Sequence, residues 1–373
     1  SGNVEGSAEG FVPVEPPVEP PSSWPEYGLD AGRTRAAPGL AVAPPFRRAW
    51  RHDAGSLLEF PPVVADGRVV VGTNAGRALA LDADTGRVLW RRRLAGRVAA
   101  SPALADGVAY LPTTRGVVYA LDAATGRPLW RRRVGSSVES SPLVAGDGVL
   151  VGTLDGRVLR LDRGSGRVAW AARAAGDVKA GLARSGDLVV VGDYGGRVSA
   201  YALATGRLRW RTTSPGRAFR GAGRFYGGAA AAYGRVFVAN VNGRVLGLDR
   251  ATGEVRWVRV LPDLVYSSPA VSRRTVYVGC YDGRLYALDA VTGRPRWAFD
   301  AGERISGSPS VIGDLVYAAT LARRPREGRT FALDARTGRQ VWSFPDGRYT
   351  PAVAVRGLLV LTGVRTLYGL VPR

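Results

Sequence analysis

The chain has 373 residues, with 52 Lys and Arg against 31 Asp and Glu, a formal net charge of +21, and 46% hydrophobic residues. That composition suits a globular chain with a sizeable core, and no apolar run is long enough to cross a membrane as a helix. The single cysteine, Cys280, cannot form an intramolecular disulfide, and the single histidine, His52, has no companion with which to build a metal site or a triad.

Residues 1–25 interleave Pro13, Pro16, Pro17, Pro20, Pro21 and Pro25 with Glu5, Glu9, Glu15 and Glu19, a composition expected to form an extended, disordered linker or stalk. The chain starts at Ser1 and contains no Met, so its natural N-terminus is expected to have been removed, with a signal peptide or membrane anchor upstream. An opening segment, 26–45, leads into a repeat region, 46–373. Trp24 precedes the repeats and is out of phase with them, so it is expected to matter little unless this part of the chain packs against the rest.

From residue 46 onward tryptophans mark a period. Trp50, Trp90, Trp130, Trp170 and Trp210 are 40 residues apart, followed by Trp257 after 47, Trp297 after 40 and Trp342 after 45. A period in this range signals a repeat architecture. The unit ending at Trp170 contains four short apolar or β-branched runs, around Leu143, Leu150, Leu159 and Ala169, separated by Gly/Asp turns such as Gly146-Asp147-Gly148. This predicts an antiparallel meander, and no window carries a sustained helical period.

The corner before five of the tryptophans reads Asp-x-x-Thr-Gly, at Asp82, Asp122, Asp249, Asp289 and Asp334. The carboxylate can accept bonds from N–H groups further along the turn, and the glycine supplies a positive φ. Ala202 replaces the aspartate in the fourth unit, which is expected to have the loosest corner. A single four-stranded sheet cannot bury both faces, whereas radial stacking can. A tryptophan at fixed phase between stacked sheets would bury roughly 150–250 Å², about 4–6 kcal/mol as an upper estimate.

The 31 residues after Trp342 supply three strands, around Pro351–Val355, Leu358–Leu361 and Thr366–Leu370. The fourth is available at Phe46-Arg47-Arg48-Ala49-Trp50. The sequence therefore predicts an all-β, eight-bladed β-propeller whose last blade is closed by the N- and C-terminal strands, with seven blades as the fallback if that strand does not pair.

The Ala-x-Asp-x-x-Thr-Gly-x-x-x-Trp corner, at 80–90, 120–130, 287–297 and 332–342, resembles the tryptophan-docking motif of quinoprotein (PQQ-type) propellers. The resemblance covers residues 46–373, and the opening Trp24-Pro25-Glu26-Tyr27-Gly28-Leu29-Asp30 is also similar to such bacterial proteins. It implies one of two branches: quinone-dependent alcohol or sugar dehydrogenases, or non-catalytic scaffolds such as the BamB-like lipoproteins of outer-membrane assembly. Fold similarity does not choose between them.

The charge invites a nucleic-acid reading, but its distribution favours a solvated rim. Lys179 is the only lysine. Arg87, Arg127, Arg167, Arg207, Arg294 and Arg339 follow the corner glycine, and Arg77, Arg157, Arg197, Arg244 and Arg284 follow the other turn. The triplets Arg91–Arg93 and Arg131–Arg133 are the densest clusters and could meet an anionic polymer. Cys280 reads as a small strand-end residue rather than a nucleophile.

Functional candidates follow from phase. Nine residues after each tryptophan the chain should approach the central channel, at Glu59, Ala99, Glu139, Lys179, Tyr226, Tyr266, Ser306 and Tyr349. The turn between second and third strands opens on the same face, with Asn74, Asp193, Tyr194, Asn240 and Tyr281. These columns vary in chemistry while the Trp and Gly columns do not. Insertions in 212–228 and 321–330 fall on this face too, bringing Arg217, Arg220, Arg224, Arg323, Arg324 and Arg326 beside Phe219, Phe225 and Tyr226. Arg with aromatic neighbours suits a recognition surface on loops.

The expected function is a non-catalytic, extracytoplasmic, monomeric propeller that binds protein or an anionic cell-envelope polymer through this face, with membrane contact only through an N-terminal anchor. No catalytic residue, metal or cofactor is expected. The alternative, a PQQ- and Ca²⁺-dependent alcohol or sugar dehydrogenase, is disfavoured by what the resemblance implies for it: an adjacent cysteine pair, where this chain has one cysteine, and longer loops over the cofactor. Calcium would also want clustered oxygen ligands, and the channel column offers only Glu59, Glu139 and Asp193.

Overall fold

A computed structural model describes residues 2–12, 21–215, 223–324, 327–349 and 352–373. Radial stacking takes the form the repeats predict: eight blades of four antiparallel strands around a channel, and no α-helix among the described residues. Blade 1 is Val63–Ala65, Arg68–Gly72, Arg77–Asp82 and Val88–Arg93, running from channel to rim, and blades 2 to 7 repeat that order. Blade 8 is composite: Ala352–Val355, Leu358–Thr362 and Thr366–Pro372 are completed by Phe46–Asp53, with Trp50 opposite Gly369. The inner strand of blade 8 neighbours that of blade 1, and the ring is closed.

The tryptophans hold adjacent blades together by one repeated contact. Each indole lies on the corner glycine of the following blade and donates its N–H to a carbonyl of that corner. Trp50 bonds Ala83 at 2.7 Å, Trp90 bonds Ala123 at 2.9 Å, Trp130 bonds Arg163 at 2.7 Å, and Trp170 bonds Leu203 at 3.0 Å. Trp210, Trp257 and Trp297 do the same with Arg250, Ala290 and Ala335 at 3.0, 3.0 and 3.1 Å. The glycine is needed twice over. At Gly126 φ is +70°, and a Cβ there would lie 2.6 Å from the Trp90 ring.

Trp342 departs from the set. The chain is interrupted between the third and fourth strands of blade 8, so that blade has no Asp-x-x-Thr-Gly corner, and Trp342 packs edge-on against Phe46 instead, centroids 5.2 Å apart. The blade 4 corner keeps its backbone turn, Gly206 N–H to Ala202 O at 2.8 Å, and loses only the carboxylate.

Some of the arginine rim is structural. Arg92, Arg132 and Arg259 donate from Nε to the corner carbonyls of Gly126, Gly166 and Gly293 at 2.9, 2.7 and 2.8 Å, so the middle member of each triplet staples blades rather than meeting solvent. Arg244, expected on the solvated rim, is buried at 1% exposure.

The N-terminal region differs most from expectation. Residues 2–12 are not a free linker but lie along the outside of blade 5, where Val4 pairs with Val258. Residues 24–36 run inside the ring and bond its inner strands in turn. Trp24 pairs with Val64 of blade 1, and Pro25 O accepts from Leu104 of blade 2. Ala31, Gly32, Thr34 and Arg35 carbonyls accept from Arg184, Ala231, Val271 and Val311, of blades 4, 5, 6 and 7. Ala36–Ala37 then pairs in parallel with Val311–Ile312. Arg33, fully buried, anchors the turn by donating to the carbonyls of Leu182, Tyr27 and Pro142 and by pairing with Glu26 at 3.0 Å. Trp24 is 2% exposed and belongs to the core shared by blades 1, 7 and 8, so the exception made for an opening segment that packs against the rest applies.

Two expectations for stability follow. Trp130→Ala and Trp24→Ala should each cost roughly 3–5 kcal/mol in denaturant unfolding, with Gly126→Val as damaging as either and Trp342→Phe nearly neutral. The corner carboxylates give a pH dependence. Hydrogen bonds from the Thr85, Thr125, Ser165 and Thr337 hydroxyls, then from backbone N–H groups, hold Asp82, Asp122, Asp162 and Asp334 below the usual aspartate range. A carboxylate with a depressed folded-state pKa contributes stability that is fully present above the unfolded value of about 3.9 and is lost as pH falls from there through the lower folded value. Melting temperature should therefore hold from about pH 7 to 5 and drop below about pH 4; a melt at pH 2.5 equal to that at pH 6 would remove this role.

Candidate binding site

Each inner strand is preceded by a short approach, and residues at one phase from seven of the eight blades converge, the blade 2 member Ala99 not being among them. Glu59, Glu139, Lys179, Tyr226, Tyr266, Ser306 and Tyr349 line a single cup, with Phe60, Ser141, Ser268 and Ser308 deeper in. It encloses about 590 Å³ of atom-free space including its open mouth. The floor is Tyr27, brought in by the opening segment, whose hydroxyl hydrogen-bonds Ser268 at 3.0 Å and Ser308 at 2.9 Å. Arg35 lies 4.4 Å from the centroid of the same ring. Tyr27 belongs to the same stretch, 24–36, that bonds the inner strands, so that stretch underlies the cup.

The serines at the next inward phase join neighbouring blades. The Ser101 N–H donates to Ser141 Oγ at 3.0 Å, the Gly228 N–H to Ser268 Oγ at 2.8 Å and the Ser268 N–H to Ser308 Oγ at 2.8 Å. Buried backbone N–H groups require partners, and here the next blade provides them.

The wall is divided by chemistry. On one side Lys179 pairs with Glu139 at 2.7 Å, both side chains being at most 15% exposed, while its ammonium lies 4.6 Å from the Tyr226 centroid. Burial opposes the lysine charge, but the hydrogen bond to Glu139 and the Tyr226 phenol raise its pKa above the ordinary range. Glu59 has no ion-pair partner among the described residues. On the other side four tyrosines from blades 4 to 6 form a continuous arc, of which Tyr226 and Tyr266 line the cup and Tyr194 and Tyr281 flank them outside it. Tyr194 stacks on Tyr226 at 6.5 Å, Tyr226 meets Tyr266 edge-on at 5.1 Å, and Tyr266 contacts Tyr281 at 4.8 Å. Arg224 lies 5.7 Å from the Tyr194 centroid and Arg304 5.5 Å from that of Tyr281, while Arg348 covers Tyr349 at 5.1 Å. Burial pushes the Tyr194 phenol up to about 12 and raises Tyr226 and Tyr281 as well, which keeps these three hydroxyls neutral.

The remaining candidates are placed differently. Asp193 is fully buried and fills its own turn, accepting from Ala175 N–H at 2.9 Å and Arg197 N–H at 3.2 Å. Asn240 does the same for its blade. Phe225 is core. Arg323 and Arg324 are exposed on the blade 7 insertion, with Arg324 paired to Glu327 at 3.2 Å, and neither lines the cup. Arg217, Phe219, Arg220 and Arg326 lie outside the described residues. Cys280 sits in the blade 6 turn, where burial pushes its thiol up to about 12, and His52 is on the outer strand of blade 8.

Tyr27 belongs to no repeat, so phase could not place it. Arg304 shares a column with Arg224, two residues before Ser306 and Tyr226, and a second reading of phase would have found it.

Eight four-stranded blades joined by seven tryptophan-docking contacts define a PQQ-type β-propeller. The family described as "Outer membrane protein assembly factor BamB" matches over residues 41–154, 102–222, 155–270, 194–345 and 263–368, and the chain belongs to this family. No curated protein matches it in sequence. Among solved structures it is similar to BamB from Moraxella catarrhalis, 20% identical with a TM-score of 0.73 over 87% of this chain and 99% of that one. A europium-containing methanol dehydrogenase is 17% identical with a TM-score of 0.79 over 94% and 91%. The quinohemoprotein alcohol dehydrogenase from Comamonas testosteroni is 16% identical with a TM-score of 0.77 over 95% and 81%. At such identities the likeness concerns the fold.

The Glu139–Lys179 pair is the most sheltered charge contact at the cup. A double-mutant cycle with Glu139→Gln and Lys179→Met should give a coupling energy of about 1–3 kcal/mol in denaturant unfolding.

Proposed function

We propose that this protein is a non-catalytic, extracytoplasmic scaffold that holds a protein partner at the channel mouth. The observation that carries this reading is the arc Tyr194–Tyr226–Tyr266–Tyr281 with Arg224 and Arg304 over its ends. Rigid phenols and guanidinium groups are the side chains on which interface affinity concentrates. The cup suits a partner that inserts a loop or side chain, and Glu59 gives a cation of that partner a place inside. Membership of the BamB family supports a cell-envelope setting. An anionic polymer would meet Arg224, Arg304 and Arg348 at the rim, but the cup itself would oppose it with a carboxylate.

The alternative is a dehydrogenase using PQQ and Ca²⁺, which the solved dehydrogenases of the same fold keep in view. The donor set does not fit those groups. Glu139 is engaged by Lys179, Asp193 is held in its turn, and among the described residues no three His, Cys, Asp or Glu side chains are grouped to hold a metal. Cys280 is a lone, buried thiol.

A photo-crosslinking residue at Tyr194 or Arg304, in the full chain within its own envelope, should yield discrete protein adducts, and one at Asp106 on the opposite face should not. Tyr226→Ser with Tyr266→Ser should abolish them. Equal adducts from both faces would sink the proposal, and so would dye-linked oxidation of alcohols or sugars after addition of PQQ and Ca²⁺.

A further inference from the structure

Blade 5 differs from the other blades at its outer edge. The residue after the tryptophan lies on the outer strand, exposed in most blades but packed into the core between blades 4 and 5 at Val258. Arg51, Arg91, Arg131, Ala171, Arg211 and Ala298 are exposed there, and Ser343 is half-buried. The blade 5 counterpart is Val258, 3% exposed. Charged side chains on an outer strand protect its free N–H and C=O groups from stray pairing. Blade 5 carries no charge at Val258, as blades 3, 6 and 7 carry none at Ala171, Ala298 and Ser343, and its outer strand reads Val255-Arg256-Trp257-Val258-Arg259-Val260.

The edge is occupied by the chain's own N-terminal arm. The Val258 N–H donates to Val4 O at 2.9 Å and the Val4 N–H to Val258 O at 2.9 Å, while the Val260 N–H donates to Asn3 Oδ1 at 2.8 Å. The arm then crosses Trp257. A Cβ on Gly6 would lie 2.5 Å from the Val291 carbonyl oxygen and 3.0 Å from Trp257 Cδ1, so glycine is required. Trp257 is fully buried, whereas Trp50, Trp90 and Trp210 keep 6–8% exposure.

Charge and ring contacts continue the match. Glu5 pairs with Arg294 at 2.5 Å and Glu9 with Arg256 at 3.4 Å. Arg235 donates to the Ser7 carbonyl at 3.4 Å and to that of Glu9. Phe11 stacks on Tyr233 at 5.3 Å beneath Arg274. The arm from residue 2 to 12 has two acidic residues and no basic one, and the surface under it supplies Arg235, Arg256, Arg274 and Arg294.

We propose that the outer edge of blade 5, continued over the corner of blade 6, is a strand-acceptor site for an acidic extended segment of a partner protein, and that residues 2–12 occupy it in cis. Main-chain pairing gives such sites affinity, and side chains beside the strand select the sequence. A tethered arm competes at a local concentration on the order of millimolar, so a partner strand binds by displacing it. The site is separate from the channel mouth and does not depend on what binds there.

The probe is a fluorescent peptide of residues 2–12, followed by anisotropy against full-length chains. A chain carrying Gly6→Leu and Glu9→Arg in its own arm should bind the peptide at least about tenfold tighter than the native chain, and added salt should weaken that binding. Adding Arg294→Glu should weaken it about threefold or more, and a peptide with Glu5→Arg should restore it. Equal affinity for native and arm-altered chains overturns the proposal, as does no binding to an arm-altered chain that melts like the native one. If the arm-altered chain does not fold, amide exchange in the native chain decides. Excess peptide should speed exchange at Val4 while Val258 stays protected, and unchanged exchange at Val4 overturns the proposal.

Discussion

An indole lying on a glycine is the contact from which the rest of this molecule follows. It fixes the spacing of adjacent blades, since the ring occupies the space a Cβ would take, and it fixes their rotation, since the indole N–H must meet one carbonyl. Repeated seven times among the described residues, it leaves the ring one way to close. The neighbouring Asp-x-x-Thr-Gly turn serves that contact: its carboxylate holds the loop and its glycine both turns the chain and accepts the ring. Where the turn is missing, at the composite blade, Phe46 takes the place of a docking corner against Trp342.

The fold was legible because its determinants are periodic. Blade number, strand order, the joining of the two ends and the phase of the channel residues could all be read from the tryptophan spacing. The same reasoning brought Glu59, Glu139, Lys179, Tyr226, Tyr266 and Tyr349 to one cup. It failed where residues act outside the repeat. Tyr27, Trp24 and Arg33 sit in a segment with no internal period, and their partners are more than a hundred residues away in several cases, so nothing local marks them. Asp193 was misplaced for a different reason. A carboxylate at a turn reads as a candidate ligand, yet it replaces the threonine hydroxyl used at Thr73, Thr113 and Thr153 to bond the same backbone N–H. Composition also misled over residues 2–12, which fall in the Pro- and Glu-rich stretch 1–25 expected to form a disordered linker. Gly6 is there to pass over Trp257, and Glu5 and Glu9 meet arginines.

The charge of the chain takes on a different meaning in three dimensions. A net +21 spread over a disc is mainly a matter of solubility and long-range attraction. Part of it is internal: Arg33 and Arg235 are fully buried, and Arg92 and Arg132 bond corner carbonyls. The channel is the exception to the overall sign. Its two carboxylates face one lysine, and tyrosines fill the remaining wall, so a cationic disc has a mouth whose interior is aromatic and mildly acidic.

The opening segment also sets how the molecule comes apart. In an open array of repeats each unit touches only its neighbours, and the array can fray unit by unit. Here one short stretch of chain, 24–36, holds the inner strands of nearly every blade like a hoop inside a barrel. A blade held in this way cannot swing outward without drawing on that hoop, and the load is shared among blades far apart in sequence. Loss of the propeller should therefore be a single collective event, with the first and last strands of the chain and this inner hoop released together.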